Sequence, residues 1–180
     1  MKITVIGKSK VGKTQLIYKF VNNEEITITT SDMEERYKKN ITIGNKIYNA
    51  EILDTDDRND LENKNDMSIA FAEGFLLVFS INNKFSFDFL SKIRDKILKE
   101  KKGNFVPMVL VGNKHDLSNE RKINYEKAKQ LADSWGFEYI ETSVNNNYNC
   151  KEAFEKLILK IASTRNKPKQ SFSCFNCFIY

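Results

Sequence analysis

The chain has 180 residues, a length that suits one domain able to bury a full core without disulfides or metals. Its 41% hydrophobic and 29% charged residues, with 7 Gly and 2 Pro, exclude a low-complexity disordered segment, and no apolar run reaches the roughly 18–20 residues of a membrane span. The formal charge of +5 is uneven: residues 1–74 hold 11 basic and 13 acidic side chains, residues 75–180 hold 18 and 11. The excess ends in Lys160, Arg165, Lys167 and Lys169 with no acid after Glu155, which suits an anionic membrane surface better than a nucleic-acid groove, so no nucleic-acid partner is expected.

Met1 leads at once into Lys2–Ile6, a β-branched strand candidate and not a signal peptide, so synthesis in the cytosol is expected. A Gly/Lys loop follows, and Lys13–Val21 then repeats apolar residues at Leu16, Ile17, Phe20 and Val21, a helical spacing. Polar residues from Asn22 to Asp32 precede a strand candidate at Tyr37–Ile43, and Gly44-Asn45 supplies a two-residue hairpin turn into Lys46–Leu53. After an acidic loop at Asp54–Asp66, Phe75–Phe79 and Phe105–Val111 read as strands buried on both faces. Between them Phe85–Lys102 has helical spacing through Phe89, Ile93, Ile97 and Leu98; Tyr125–Trp135 and Asn149–Ala162 read similarly. This alternation predicts a doubly wound α/β domain: a six-stranded, mostly parallel sheet with one antiparallel edge strand, helices on both faces, and ligands at the carboxyl ends of its strands.

Gly7-Lys8-Ser9-Lys10-Val11-Gly12-Lys13-Thr14 matches GxxxxGK[ST] directly after a strand and opening a helix, the context that a phosphate-binding P-loop requires. Backbone N–H groups of Ser9, Lys10, Val11 and Gly12, with those of the helix start through Gln15, converge on phosphate oxygens. Lys13 reaches the β/γ-phosphates and the Thr14 hydroxyl ligates Mg²⁺. Such a loop serves ATP as well as GTP, so the motif leaves an ATP-using enzyme open.

Asn113-Lys114-His115-Asp116, with Leu117 behind it, resembles the NKxD base motif of guanine-nucleotide-binding proteins. Guanine presents N1–H and its 2-amino group as adjacent donors that one carboxylate accepts together, which opposes the ATP reading. Glu141-Thr142-Ser143-Val144-Asn145 resembles the ETSAK stretch, where a backbone N–H meets the guanine oxygen, although Val144 and Asn145 depart from it. With the runs 74–83 and 107–114 added, the chain resembles the Ras family of small GTPases, closest to Ras proper, over nearly its whole length. That resemblance implies the P-loop NTPase fold, GTP and GDP as ligands, Mg²⁺ as cofactor and a switch role in signal transduction. It further implies an exchange factor, an activating protein, and effectors that bind the segment Asp32–Tyr37. His115 fills the variable position of the base motif and Trp135 lies on an apolar helix face; both read as structural.

The switch segments depart from the family pattern. Asp32 stands where a Thr binds Mg²⁺ and senses the γ-phosphate; its carboxylate could take the ion but repels the phosphate. Asp54 keeps the position that holds Mg²⁺ through water, but Asp57 replaces Gly, and Arg58 replaces the Gln that orients the attacking water, so Lys13 and Arg58 are the catalytic candidates. Ser9 and Lys10 stand where Ras has two glycines, and Glu25, beside Ile26, replaces the aromatic residue over the guanine. Three readings remain: a switch that hydrolyses GTP slowly or with an activating protein's help, a nucleotide-bound scaffold with negligible hydrolysis, and the disfavoured ATP enzyme.

The three cysteines, Cys150, Cys174 and Cys177, are too few and too crowded at the end for a disulfide framework or a four-ligand zinc site. Cys177-Phe178-Ile179-Tyr180 has the C-a-a-X placement read by prenyltransferases, and Cys174 is available for a second acyl chain. The expected division is a nucleotide-binding domain over 1–164 and a basic anchoring tail over 165–180. The expected location is the cytoplasmic face of the plasma membrane.

Overall fold

A computed structural model describes residues 1–21, 27–31, 34–55 and 66–165. The order is β1 (Lys2–Ile6), α1 (Lys13–Val21), β2 (Thr27–Ser31), β3 (Glu34–Ile43), β4 (Lys46–Asp54), α2 (Asp66–Phe71) and β5 (Gly74–Ser80). Then come α3 (Lys84–Glu100), β6 (Met108–Asn113), a 3₁₀ segment (His115–Glu120), α4 (Tyr125–Ser134), β7 (Glu138–Thr142) and α5 (Cys150–Arg165). One sheet takes the strands in the order β2-β3-β4-β1-β5-β6-β7. β4, β1, β5, β6 and β7 run parallel, and β3 is antiparallel to both its neighbours. This is the doubly wound architecture the alternation predicts, and it is consistent with the P-loop fold that the resemblance implies. Chain order reverses at β1, which lies between β4 and β5, and ligands of such sheets bind at that switch point.

Each face of the sheet buries its own core. Along β5 all seven residues are buried because alternate side chains enter opposite layers. Leu76 and Val78 join Leu16, Ile17 and Phe20 of α1 and Phe154, Leu157 and Ile161 of α5. Phe75, Leu77 and Phe79 join Phe87, Leu90, Ile93 and Ile97 of α3 and Ala128 and Ala132 of α4. Phe20 and Phe154 stack at 4.1 Å between centroids, a contact worth about 0.5–1.5 kcal/mol beyond burial. That stack fixes α1, and with it the loop that precedes α1.

Gly44 and Asn45 make the expected turn, with Gly44 at φ +59° and Ile43 paired to Lys46 across it. Against the sequence expectation, β3 opens at Glu34 rather than Tyr37, no strand candidate marks β7, and three further features differ. The strand β2 adds a seventh member beyond β3, inside the stretch read as a polar connection. Its T-I-T-T-S run is β-branched but carries one apolar residue, too weak a period-2 signal to register. The strand expected from Phe105 starts at Met108, since Phe105 is 71% exposed and Pro107 has no N–H to give a ladder. Helix α2, six residues long, is too short for a periodicity argument and opens where the acidic loop was read.

Candidate functional site

The residues 7–12 connect the carboxyl end of β1 to α1, and glycine is needed at both ends of the loop. A Cβ on Gly7 would come within 2.0 Å of the Val78 carbonyl oxygen. Gly12 has φ +95°, and a Cβ there would lie 2.5 Å from Asn113 Nδ2. Lys10 also holds a left-handed conformation, φ 63°, at the crest of the loop. Lys13, 7% exposed, folds its chain back under the loop and donates from Nζ to the carbonyls of Gly7 at 2.8 Å and Lys8 at 3.2 Å. The result is a cradle of backbone N–H groups with one ammonium held inside it. Thr14 and Gln15 are exposed in the first turn of α1.

Asp54 ends β4, the strand beside β1, and its Oδ2 accepts from Thr14 Oγ1 at 2.5 Å. A hydroxyl and a carboxylate meeting at the mouth of a phosphate cradle are hard oxygen donors of the kind Mg²⁺ takes, and this ion commonly completes its shell with water and phosphate. The donor set therefore fits Mg²⁺. Among the described residues no group of three or more His, Cys, Asp or Glu side chains gathers as a metal site.

The base motif is tied directly to this cradle. Asn113, at the end of β6 and 2% exposed, donates from Nδ2 to the Val11 carbonyl at 2.8 Å and accepts from Thr142 Oγ1 at 3.0 Å. Lys114, left-handed at φ 67° and ψ 40°, donates from Nζ to the Lys10 carbonyl at 2.6 Å. Asp116 lies in the first turn of the 3₁₀ segment, with Leu117 behind it donating its N–H to the Lys114 carbonyl at 2.9 Å. Its Oδ1 accepts from Ser143 Oγ at 2.6 Å and its Oδ2 from Asn145 Nδ2 at 2.8 Å. The Ser143 hydroxyl, opposed by burial and assisted by Asn145, holds the Asp116 carboxyl below the usual carboxylate range. Each oxygen keeps a second lone pair for a further donor. Val144 packs against the core beneath the turn.

Behind that turn lies a hub that sequence reasoning missed. Glu141, 5% exposed in β7, accepts two parallel bonds from Arg121, at 2.6 Å to Oε1 and 2.8 Å to Oε2. It also accepts from the Tyr139 hydroxyl at 2.7 Å, and His115 Nδ1 lies 2.7 Å from Oε2. Burial pushes the Glu141 carboxyl up, but the bonds from Arg121, Tyr139 and His115 outweigh it and leave the group below its ordinary value. Burial and the bond to Glu141 push the Tyr139 phenol far up. His115, read as structural, is thus part of the base side of the site. Nothing in the spacing signals it, because its partner lies 26 residues along the chain.

The other expected positions divide plainly. Tyr37, last of the expected effector segment, is fully buried with its ring edge-on to Tyr18 at 5.5 Å between centroids. Glu25, Ile26, Asp32, Asp57, Arg58, Cys174 and Cys177 lie outside the described residues. Trp135 packs against Phe137 and under Arg94, away from the site. Cys150 is a buried thiol at the start of α5, with Sγ donating to the Ser143 carbonyl at 3.3 Å.

A glycine cradle and a helix start at the switch point of a parallel sheet define the class: a P-loop nucleotide-binding fold. Comparison with known proteins narrows it. The model of the Ras family matches residues 2–163. Ras-like protein rasV of Dictyostelium discoideum is 34% identical over 158 residues, 88% of this chain and 69% of that protein. Ras-like protein rasZ of the same organism is 31% identical over 161 residues, 89% of this chain and 75% of its own. Ras-like protein rasW, also from that organism, is 30% identical over 169 residues, covering 94% and 78%. The chain belongs to the Ras family.

Proposed function

We propose that this chain is a guanine-nucleotide switch whose domain spans 1–164 and which hydrolyses GTP to GDP slowly, or with an activating protein's help. One observation carries the reading: the bonds from Asn113 to Val11 and from Lys114 to Lys10, 2.8 and 2.6 Å, hold the phosphate cradle and the base loop as one unit. A nucleotide with its phosphates on residues 7–15 and its base on Asp116 spans that unit. The backbone N–H groups and Lys13 take the phosphates, Asp116 takes the guanine N1–H and 2-amino group, and the turn at Ser143, Val144 and Asn145 offers a backbone N–H to the guanine oxygen. Thr14 and Asp54, with Asp32 as the proposed third residue, would hold Mg²⁺, which when bound would supply positive charge beside the phosphates.

Slow turnover follows from the second switch. Arg58 has donors only and cannot accept a bond from the attacking water, while Asp57, which keeps its backbone N–H, adds a Cβ and a negative charge at the position of the family's Gly, opposing approach to the γ-phosphate. Single-turnover hydrolysis of preloaded GTP tests this, with nucleotide release followed in parallel. The variant Asp57→Gly/Arg58→Gln should be faster than the wild type by about 10- to 100-fold. A wild type as fast as that variant contradicts slow turnover. The same two residues favour a second reading, a nucleotide-bound scaffold, which stands if the wild type keeps GTP bound and unhydrolysed even with an activating protein.

The switch reading brings an exchange factor and effectors. Glu34 and Glu35 make the effector segment acidic, so basic effector surfaces are expected. The proposed site of action is the cytoplasmic face of the plasma membrane, supported by Cys174, Cys177 and the basic residues before them. Cys177→Ser should release a membrane-associated chain to the soluble fraction; a wild-type chain already soluble overturns this anchoring.

A further inference from the structure

The variable residue of the base motif is built into the site more firmly than its position requires. His115 directly precedes Asp116 and has two separate contacts. Its Nδ1 lies 2.7 Å from Glu141 Oε2, and its ring stacks on Tyr148 at 4.9 Å between centroids with 25° between planes. Tyr148 closes the turn that holds Ser143 and Asn145: its N–H donates to the Ser143 carbonyl at 2.9 Å, and Ser143 N–H donates to the Tyr148 carbonyl at 3.0 Å. Asn149 Nδ2 continues the closure by donating to the Glu141 carbonyl at 3.0 Å. Glu141 in turn is held by Arg121, which follows the 3₁₀ segment. The segment bearing Asp116 and the turn bearing its two hydrogen-bond donors are therefore clasped together, with His115 touching both Glu141 and Tyr148.

We propose that His115 and Tyr148 are positioning residues for guanine recognition: together they set the Asp116 carboxylate at a fixed separation from the Ser143–Asn145 turn. The inference rests on the guanine reading of Asp116. A carboxylate must meet two base donors at once, so small displacement of one segment against the other weakens both bonds together. A ring stack and a hydrogen bond to a buried carboxylate, acting on the same residue, resist that displacement in different directions. The selectivity of this site is then set partly by a residue the motif leaves free to vary.

The test uses the full chain loaded with GDP or with IDP, whose base lacks the 2-amino donor, and measures dissociation of each. The wild type should hold GDP longer than IDP. His115→Ala and Tyr148→Ala should each speed GDP release by about tenfold, the scale of one lost hydrogen bond to a charged group, and shrink the GDP/IDP ratio. The double variant should fall short of the product of the two, because each removes the same contact. Tyr148→Phe keeps the ring and should behave as wild type, and His115→Asn, which keeps a donor near the Nδ1 position, should recover part of the loss. A merely structural role would speed GDP and IDP release equally, leaving the ratio unchanged, and that result overturns the inference. A wild type that does not distinguish GDP from IDP overturns the reading of Asp116 itself, and the inference with it.

Discussion

In the proposed switch, Asp116 is the residue that distinguishes guanine from adenine, and its surroundings suit that task. The Ser143 hydroxyl and the Asn145 amide keep it ionised and aimed, while each oxygen retains a free lone pair. Asp116→Asn should move preference from guanosine toward xanthosine nucleotides by at least about tenfold, since an amide offers a donor and an acceptor to the altered base edge. Competition of GDP and XDP against a fluorescent nucleotide reads this, and an unchanged preference for GDP would refute the assignment. Gly7, Gly12, Lys13, Thr14 and Asp116 were legible in the sequence because their chemistry needs contiguous spacing. Asn113 as the link to Val11, Glu141 as a hub and His115 as its partner were not, because those contacts join residues 102 and 26 positions apart.

At the scale of elements, β7 is fixed to the 3₁₀ segment through one buried carboxylate. Burial alone would raise its proton affinity, yet the donors from Arg121, Tyr139 and His115 depress it. A glutamate depressed in the folded state contributes stability that is present above its unfolded value of about 4.3 and lost as pH falls through the lower folded value. Glu141→Gln should cost about 1–3 kcal/mol near neutral pH, and that deficit should narrow as the medium is acidified through this interval. Urea unfolding of both proteins at saturating GDP, from pH 7 downward, measures it. A deficit that stays constant with pH would show that the carboxylate charge does not support the fold. The elements themselves were legible where periodicity runs long, as in α3 and α5, or where burial on both faces leaves an unbroken apolar run, as in β5. β2 and α2 were not, being five and six residues long with pairing and packing that only the assembled sheet supplies.

For the whole molecule, the fold brings to the carboxyl end of the parallel strands the loop after β1 with the start of α1, the end of β4, and the ends of β6 and β7 with the turns that follow them, and these carry the described phosphate-loop and base-motif residues. The reversal of strand order at β1 opens that end to a ligand, and the bonds from Asn113 and Lys114 to the phosphate loop join its two halves. Membership of the Ras family agrees with a guanine nucleotide bound at that end. The measurement that bears most directly on this account is the identity of the nucleotide released when the purified chain is denatured. A guanine nucleotide in stoichiometric amount is the predicted result; an adenine nucleotide, or a chain that carries none and takes up none from added GDP and Mg²⁺, would contradict it.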